Sequence, residues 1–559
     1  MSAFLKKLNQ NHPYIIIQLF LLFILSNYFL SDFNCRKDLS KENRFNLTDS
    51  TEKIINNLPE KLIIDAFYSG DVPGMHKARL TLSKEILKEI AGVNRKKVDL
   101  RFHDPDTSES EKRKANEAGI RSYPLEKVER GSAEVKQAYF GIRITLGNQT
   151  EVIPVAYSAE NIEYQLLNLL KKMTRKGKQS NLGIVKVEGG FSYPEPGQSS
   201  SKDTFGVFIH KVYSPEYGEP TEININQEEV SSDVSTLLLV GAPKLSDQGM
   251  YHLDQYLMRG GNLIYLAETM KFNLPSGSRS IPGMGMSDGF ATAIESANNM
   301  REFTKNYGFE VKSEMILEPD SSLVTDSFVQ IEEGMIIPYH YPLWPVATKE
   351  SRGLSNDSDI TKTSSGIVLP WTSGITVKPE NQPNATILTV IESTKDADIR
   401  SDYLPIAENQ ISAQAINPGG IKIPMGVYIS GKLKSKYTKD NLPGNKKIES
   451  FIPETPENKI SKIFVLGTPY LISDIFFTKE QYVDVFRKTN LPFFLNLLDI
   501  FSGDTDLIAT RTKQSYVQNL KSIGKLEQMI FSIMNLFLIP SGISIYAFLR
   551  IKSRNLGKG

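Results

Sequence analysis

The chain reads as an α/β protein held at both ends by membrane helices. Three observations predict this. Residues 237–267 spell one strand–helix–strand unit, residues 61–173 alternate strand-like and helix-like patterns, and a long uncharged apolar run stands near each end. The first apolar run of the central unit, Leu237 to Val240, is continuous, as in a strand buried on both faces. Ser246 is placed to cap the following helix, with Asp247 in its first turn. Met250, Leu253 and Leu257 share one helix face. Gly260 is placed for the left-handed position after that helix, and Leu263 to Ala267 returns as a second buried strand. A strand, a helix and a strand in that order make a parallel pair with a right-handed crossover.

Length and composition bound the remainder. A chain of 559 residues corresponds to three or four domains at about 150 residues each. The 40% hydrophobic and 23% charged content is that of ordinary globular material. A net charge of +1 supplies no global field toward nucleic acid, so no nucleic-acid partner is expected. The one cysteine, Cys35, permits neither an internal disulfide nor a cysteine-based zinc site. It reads as a plain thiol near the membrane surface.

The ends are the membrane-facing parts. Tyr14 to Leu30 is apolar except for Gln18, Ser26 and Asn27, and Lys6 and Lys7 precede it. Gln528 to Leu549 carries no charge, and Arg550, Lys552, Arg554 and Lys558 follow it. About 20 apolar residues span a bilayer core. Basic residues flank the outer end of both runs, which places both termini in the cytoplasm and the bulk of the chain outside it. A cleaved signal peptide competes for the first run, and a buried core helix for the second. Pro540 is tolerated by a membrane helix. The expected division is 1–36 for the first anchor, 37–175 and 180–325 for two α/β domains, 326–525 for a mixed extension, and 527–559 for the second anchor and its basic tail.

In chain order, Asp49 to Leu58 is partly helical, Lys61 to Tyr68 and Lys97 to His103 are strands, and Thr81 to Ala91 and Ser108 to Gly119 are helices. Gln137 to Leu146 and Gln149 to Val155 form a hairpin across Gly147-Asn148. Asn161 to Met173 is an amphipathic helix, and the whole is of thioredoxin-like size without a Cys-x-x-Cys pair. After the basic linker 175–181, Leu182 to Val187 restarts a sheet. Phe205 to Tyr213 is helical and Glu222 to Ile225 a short strand. Residues 189–203 and 273–289 are rich in Gly, Ser and Pro and read as loops. Met300 to Tyr307 is a helix and Phe309 to Leu317 a strand. Ala385 to Glu392, Met425 to Lys432 and Ile463 to Leu466 are strands, and Asn490 to Phe501 is an apolar helix.

Six stretches now acquire a common meaning: Ala66 to Pro73; Val98 to Asp106; Tyr139-Phe140-Gly141 with Glu151 to Pro154; Asp254 to Gly261; Tyr341-Pro342-Leu343-Trp344-Pro345; and Asn496 to Asp499 with Gly503 to Arg511. In this order, between two anchors, the chain resembles the gliding-motility-associated auxiliary component of ABC transporters, the GldG-like family. The resemblance implies a flavodoxin-like or class I amidotransferase-like parallel sheet, similar also to the GIFT-type domain of intraflagellar transport. It implies a non-catalytic auxiliary subunit of the bacterial inner membrane that works beside an ABC permease and a cytoplasmic ATPase, with membrane lipid around its anchors. An independent envelope protein that binds or senses a ligand, for example a polysaccharide, is the competing expectation.

Chemical motifs are sparse. Gly426 to Lys432 has the spacing of a phosphate-cradling loop, but Leu433 stands where a hydroxyl must hold Mg²⁺, and Val427 and Ile429 alternate as in a strand. Gly260-Gly261 follows a helix, where an anion site needs glycine before one, so the pair reads as cap and turn. A class I amidotransferase needs a cysteine nucleophile on an elbow, and Cys35 lies beside the membrane. The six histidines show no metal-type spacing, and His252 near Asp254 reads as a solvated helix face. Glu188, Glu268 and Asp326 pair only if the fold brings them together, and Asp104-Pro105-Asp106 reads as a turn. No catalytic residue, metal ligand or cofactor is expected. The contact positions that remain are Gly241 and Lys244, at the carboxyl end of a parallel strand, and Tyr341, Trp344 and Trp371. These aromatics stand among prolines in loops expected to be exposed, where they either stack on a ligand or pack locally.

Overall fold

The computed structural model describes residues 46–129, 132–174, 182–195, 201–273, 291–330, 336–401, 404–411, 416–443 and 450–503, with isolated positions beyond. The first membrane run, Cys35, residues 274–289 of the second loop and all of the second membrane run except Met529, Ser532 and Met534 lie outside the described residues. Among the described residues no helix is long and apolar enough to cross a membrane. The chain divides into two units, 1–515 and 516–559, and both large sheets belong to the first.

The amino-terminal sheet holds β1 (Leu62–Tyr68), β2 (Val98–His103), β3 (Phe140–Leu146) and β4 (Gln149–Ile153) in the order β2-β1-β3-β4. β1 and β2 are parallel and the other pairs antiparallel. The alternation of Leu62, Ile64 and Ala66 packs one face against α1 (Gly74–Val93) and α3 (Ala159–Thr174) through Ile86, Ile90, Ile162 and Leu166. The expected helix after Ser108 is α2 (Glu109–Glu117), and Ser108 caps it. The hairpin across Gly147-Asn148 is present, but it begins at Phe140. Residues 132–138 pair instead with 123–129 in a separate ribbon that the sequence pattern did not reveal. The Asp104-Pro105-Asp106 turn fastens the end of β1: Gly70 N donates to Asp104 Oδ1 at 3.1 Å and Ser69 Oγ to Asp106 Oδ1 at 3.1 Å.

The second sheet has seven strands: β5 (Leu182–Val185), β6 (Thr221–Ile223), β7 (Thr236–Gly241), β8 (Asn262–Ala267), β9 (Ala385–Glu392), β10 (Pro424–Gly431) and β11 (Ser461–Leu466). Their order is β9-β10-β11-β8-β7-β5-β6. β6, β5, β7, β8 and β11 are mutually parallel, and β10 and β9 close one edge antiparallel. The predicted strand–helix–strand unit is β7, α4 (Asp247–Met258) and β8, with Leu237 opposite Leu263 and Val240 opposite Leu266. Ser246 Oγ accepts from Gly249 N, so the predicted cap is made. Leu237, Leu239, Leu263 and Tyr265 face α4 and α5 (Arg301–Asn306). Leu238, Val240, Ile264 and Leu266 face a second core containing α6 (Asn490–Ser502). β7 and β8 are buried on both faces, which is why each is a continuous apolar run in the sequence.

Two expectations are corrected. Phe309 to Leu317 is not one strand: Phe309–Val311 pairs with Ile375–Val377, and Glu314–Leu317 with Asp398–Ser401. The apolar pattern breaks at the polar run Lys312-Ser313-Glu314, which is where the strand changes partner. Ile336–Thr348 is a strand despite its prolines, antiparallel to Ser322–Gln330. Register shifts between Ser322 and Phe328 relax the ladder along this stretch, as proline requires.

Candidate functional site

The parallel strands, numbered along the chain, stand in the order 2-1-3-4-5, so the connections reverse direction between β5 and β7. Open sheets of this type bind ligands in the crevice at that point, outside the carboxyl ends of the strands. Here the chain fills the crevice itself. After β5 the backbone turns at Gly189 and runs antiparallel to the end of β7. Ala242 N donates to Gly189 O, Phe191 N to Val240 O and Lys244 N to Glu188 O, each at 2.9 Å. Gly189 has φ +80°, and a Cβ there would stand 2.0 Å from Ala242 O. Gly189→Ala is therefore expected to destabilise the chain by about 2 kcal/mol, from left-handed strain together with the displaced carbonyl. The shift of the denaturant midpoint measures it, and an unchanged midpoint refutes the plug.

Gly241 and Lys244 do lie at this end of the sheet. Gly241 O is consumed by Glu268 N at 2.9 Å. Lys244 Nζ pairs with Glu188 at the surface, where such a pair contributes little. The three aromatics are corrected. Tyr341, Trp344 and Trp371 are 0%, 0% and 2% exposed, and their place is the core, not exposed loops. Trp344 meets Trp371 edge-on at 5.2 Å, Trp371 meets Tyr470 at 5.1 Å, and Tyr470 meets Phe191 at 5.6 Å. One continuous aromatic layer thus runs from Trp344 to the residue that closes the crevice. The prolines that suggested loops stand within or beside a bulged strand.

Glu268, directly after β8, is the chemically distinctive group at this end. Its carboxylate, on a residue 6% exposed, accepts from Tyr470 Oη at 3.0 Å. Burial pushes the carboxyl up to about 7; Lys202 and Lys271 oppose that rise and Asp203 adds to it. Lys202 is itself held, with Nζ 2.6 Å from Asp203 and 5.3 Å from the centroid of the Phe272 ring. Asp474 joins the neighbouring chain segments, accepting from Gly206 N at 3.0 Å and Val207 N at 2.7 Å. The arrangement can take up and release a proton near neutral pH. Glu188, with Lys244 as its partner, is not paired with Glu268, and the Asp326 side chain lies outside the described residues. Among the described residues no group of three or more His, Cys, Asp or Glu is arranged to hold a metal ion.

A second buried acid, Asp254, was not singled out by the sequence reading. His252 is not solvated: it is 2% exposed and its Nδ1 lies 2.8 Å from Ile225 O. Asp254, two residues on, is fully buried. Its carboxylate accepts from Tyr307 Oη (2.5 Å), Ser435 Oγ (2.7 Å), Lys436 N (2.8 Å) and Gln255 Nε2 (2.9 Å). It ties α4 to the end of α5 and to the loop after β10. The available signal was an acid on a helix between two buried strands, where charge persists only if paired. Gly260 and Gly261 form the expected cap and turn. Gly260 N donates to Leu257 O and Gly261 N to Tyr256 O, a Schellman cap. Residues 426–431 are the β10 ladder, with their backbone groups facing β9 and β11.

The family described as ABC-type uncharacterized transport system matches residues 180–501, more than half of the chain. A domain of unknown function matches residues 41–145. An uncharacterized protein of Borreliella burgdorferi is 20% identical over 525 residues, covering 92% of each chain. Among solved structures, the mmIFT52 N-terminal domain aligns with a TM-score of 0.30 and 12% identity, over 57% of this chain and 97% of that one.

Proposed function

The chain belongs to the ABC-type uncharacterized transport system family, and on that premise we propose that it is the non-catalytic, membrane-anchored auxiliary subunit of an ABC transporter. Its role in transport is auxiliary. Two helices, from 14–30 and 528–549, hold the chain in the bacterial inner membrane with both termini in the cytoplasm. The described α/β sheets lie on the outer side. The anchors pack on a permease, and a separate cytoplasmic ATPase supplies the energy, as in the gliding-motility systems that the sequence resembles.

The observation that carries this reading is the family match over 180–501, bracketed by the two uncharged runs with basic outer flanks. Two features support it. The one stretch with phosphate-loop spacing is strand β10, so the described residues offer no nucleotide-binding loop there. The crevice at the switch point is plugged by residues 188–192, which suits a scaffold more than a small-molecule enzyme. A free-standing polysaccharide sensor is the poorer reading, because Tyr341, Trp344 and Trp371 are buried and face no sugar.

Purification of the tagged full chain in mild detergent is expected to bring a permease and an ATPase with it in fixed ratio. Recovery of the chain alone from membranes that contain both, across several detergents and after crosslinking, overturns the subunit reading.

A further inference from the structure

We propose that a small polar cavity beside the end of β8 is a binding site for a carboxylate group. This does not rest on the transport reading. The cavity lies on the α5 side of the sheet, at the carboxyl end of β8, one strand over from the plugged crevice. Tyr265, Thr269, Ser296, Asn298, Arg301 and Ser313 line it, and its volume is about 30 Å³. That is room for about two water-sized groups, which suits a carboxylate and is too little for a sugar ring.

A count of donors shows what is missing. The hydroxyls of the wall are already committed: Ser296 Oγ donates to Glu268 O, Ser313 Oγ to Glu295 Oε1, Thr304 Oγ1 to Arg301 O and Thr269 Oγ1 to Lys312 O. Tyr265 differs. Its hydroxyl, on a residue 1% exposed, receives Asn298 Nδ2 at 2.7 Å, yet its own hydrogen meets no acceptor among the described residues. Arg301 uses Nε for Glu310, at 2.6 Å, and its terminal nitrogens have no partner among the described residues. The buried Tyr265 O–H and Arg301, whose side chain is 46% exposed, line one small cavity, and together they favour a group that accepts hydrogen bonds and carries negative charge.

The buried Glu310 carboxylate faces Arg301, Lys312 at 3.1 Å, and Lys305 and Lys378 at 4.0 Å. Glu302 and Glu295 are the other acids that act on Arg301. Glu314 acts on Lys312 as well, so four cations meet four carboxylates and the attraction for a ligand rests on the Arg301 guanidinium. Exposed Glu295 stands on the cavity wall and repels a second charge, which makes the ligand a monocarboxylate.

The test titrates the full-length chain in detergent with sodium acetate by calorimetry, against sodium chloride at equal ionic strength and methyl acetate as the uncharged analogue. Saturable heat with acetate alone is expected. Tyr265→Phe keeps the ring and removes the donor; Arg301→Lys keeps a charge for Glu310 and removes the fork. Each is expected to weaken acetate by about tenfold, the loss of one charge-assisted hydrogen bond, with the denaturant midpoint as the check on folding. Competition by a short peptide with a free carboxyl end, but not by its amide, assigns the carboxylate to a chain terminus; no competition by either assigns it to a small free acid. Acetate behaving as chloride does, or both folded variants binding as the parent does, overturns the site.

Discussion

Asp254→Ala is expected to lower the stability of the chain by about 4 kcal/mol, within the range for breaking a buried charged network. Four donors converge on this carboxylate at 2.5–2.9 Å. Alanine leaves Tyr307 Oη, Ser435 Oγ, Lys436 N and Gln255 Nε2 short of an acceptor in a place water does not reach. Each stranded donor costs about 1–3 kcal/mol when it cannot relax, and partial relaxation brings the sum down. Asp254→Asn keeps one oxygen for two donors and turns an amide N–H₂ toward the other two, so about half the loss is expected of it. Urea midpoints of the three proteins decide the matter. A loss below about 1 kcal/mol for alanine shows that the hub does not hold α4 to the loop after β10.

Glu268→Gln is expected to act in the opposite direction, and only above acid pH. The folded carboxyl titrates at about 7 against an ordinary 4.5, because burial penalises its charged form. Below pH 4.5 both folded and unfolded chains carry the proton, and the group adds no pH dependence. Between 4.5 and 7 the unfolded chain gives up its proton while the folded one retains it, so stability falls as pH rises. The fall is complete above about 7 and amounts to roughly 3 kcal/mol at 1.36 kcal/mol per pH unit. Glutamine is neutral throughout, and its carbonyl still accepts from Tyr470. The variant should therefore match the parent near pH 4 and exceed it by roughly 3 kcal/mol at pH 8. Difference curves of denaturant midpoint against pH isolate this one group, since the other titrations are common to both proteins. Parallel curves would show that Glu268 is not held in the buried, uncharged condition described.

The residues that carry the family resemblance are for the most part internal. Asp254 is a buried hub, Trp344 is the centre of the aromatic layer, and Asp104 and Asp106 latch the end of β1. Asp499 accepts from Tyr217 Oη at 2.7 Å, joining α6 to the helical segment after residue 205. Each of these positions is held by packing or by a hydrogen bond inside the chain. This is why the aromatic motif positions are poor guides to a surface. An aromatic beside proline looks the same in sequence whether its strand is bulged and covered or its loop is open. Gly241 and Lys244 stand where the sequence places them, because the end of a parallel strand follows from the order of local elements. Glu268 was visible as an acid after a buried strand, but nothing local showed Tyr470 arriving from about 200 residues away. Tyr265 and Arg301 gave no signal at all: one looked like a strand residue and the other like the first charge of a helix.

Local order, then, was determined by the sequence alone. The period of apolar residues set the β7–α4–β8 unit, the hairpin at Gly147-Asn148, the helix after Ser108, the cap at Ser246, and the glycine stop at Gly260, because each depends on neighbours within one or two turns. The tertiary structure alone decided what each buried face meets. β9, β10 and β11 complete a sheet begun at residue 182, the stretch after β5 folds back into the switch-point crevice, and the burial of Glu268, Asp254 and Tyr265 follows from partners brought in by the chain's return. Burial and pairing are properties of groups distant in sequence, and they set the charge state of an acid and the spare hydrogen of a hydroxyl. The chemistry of this molecule is accordingly a product of its packing.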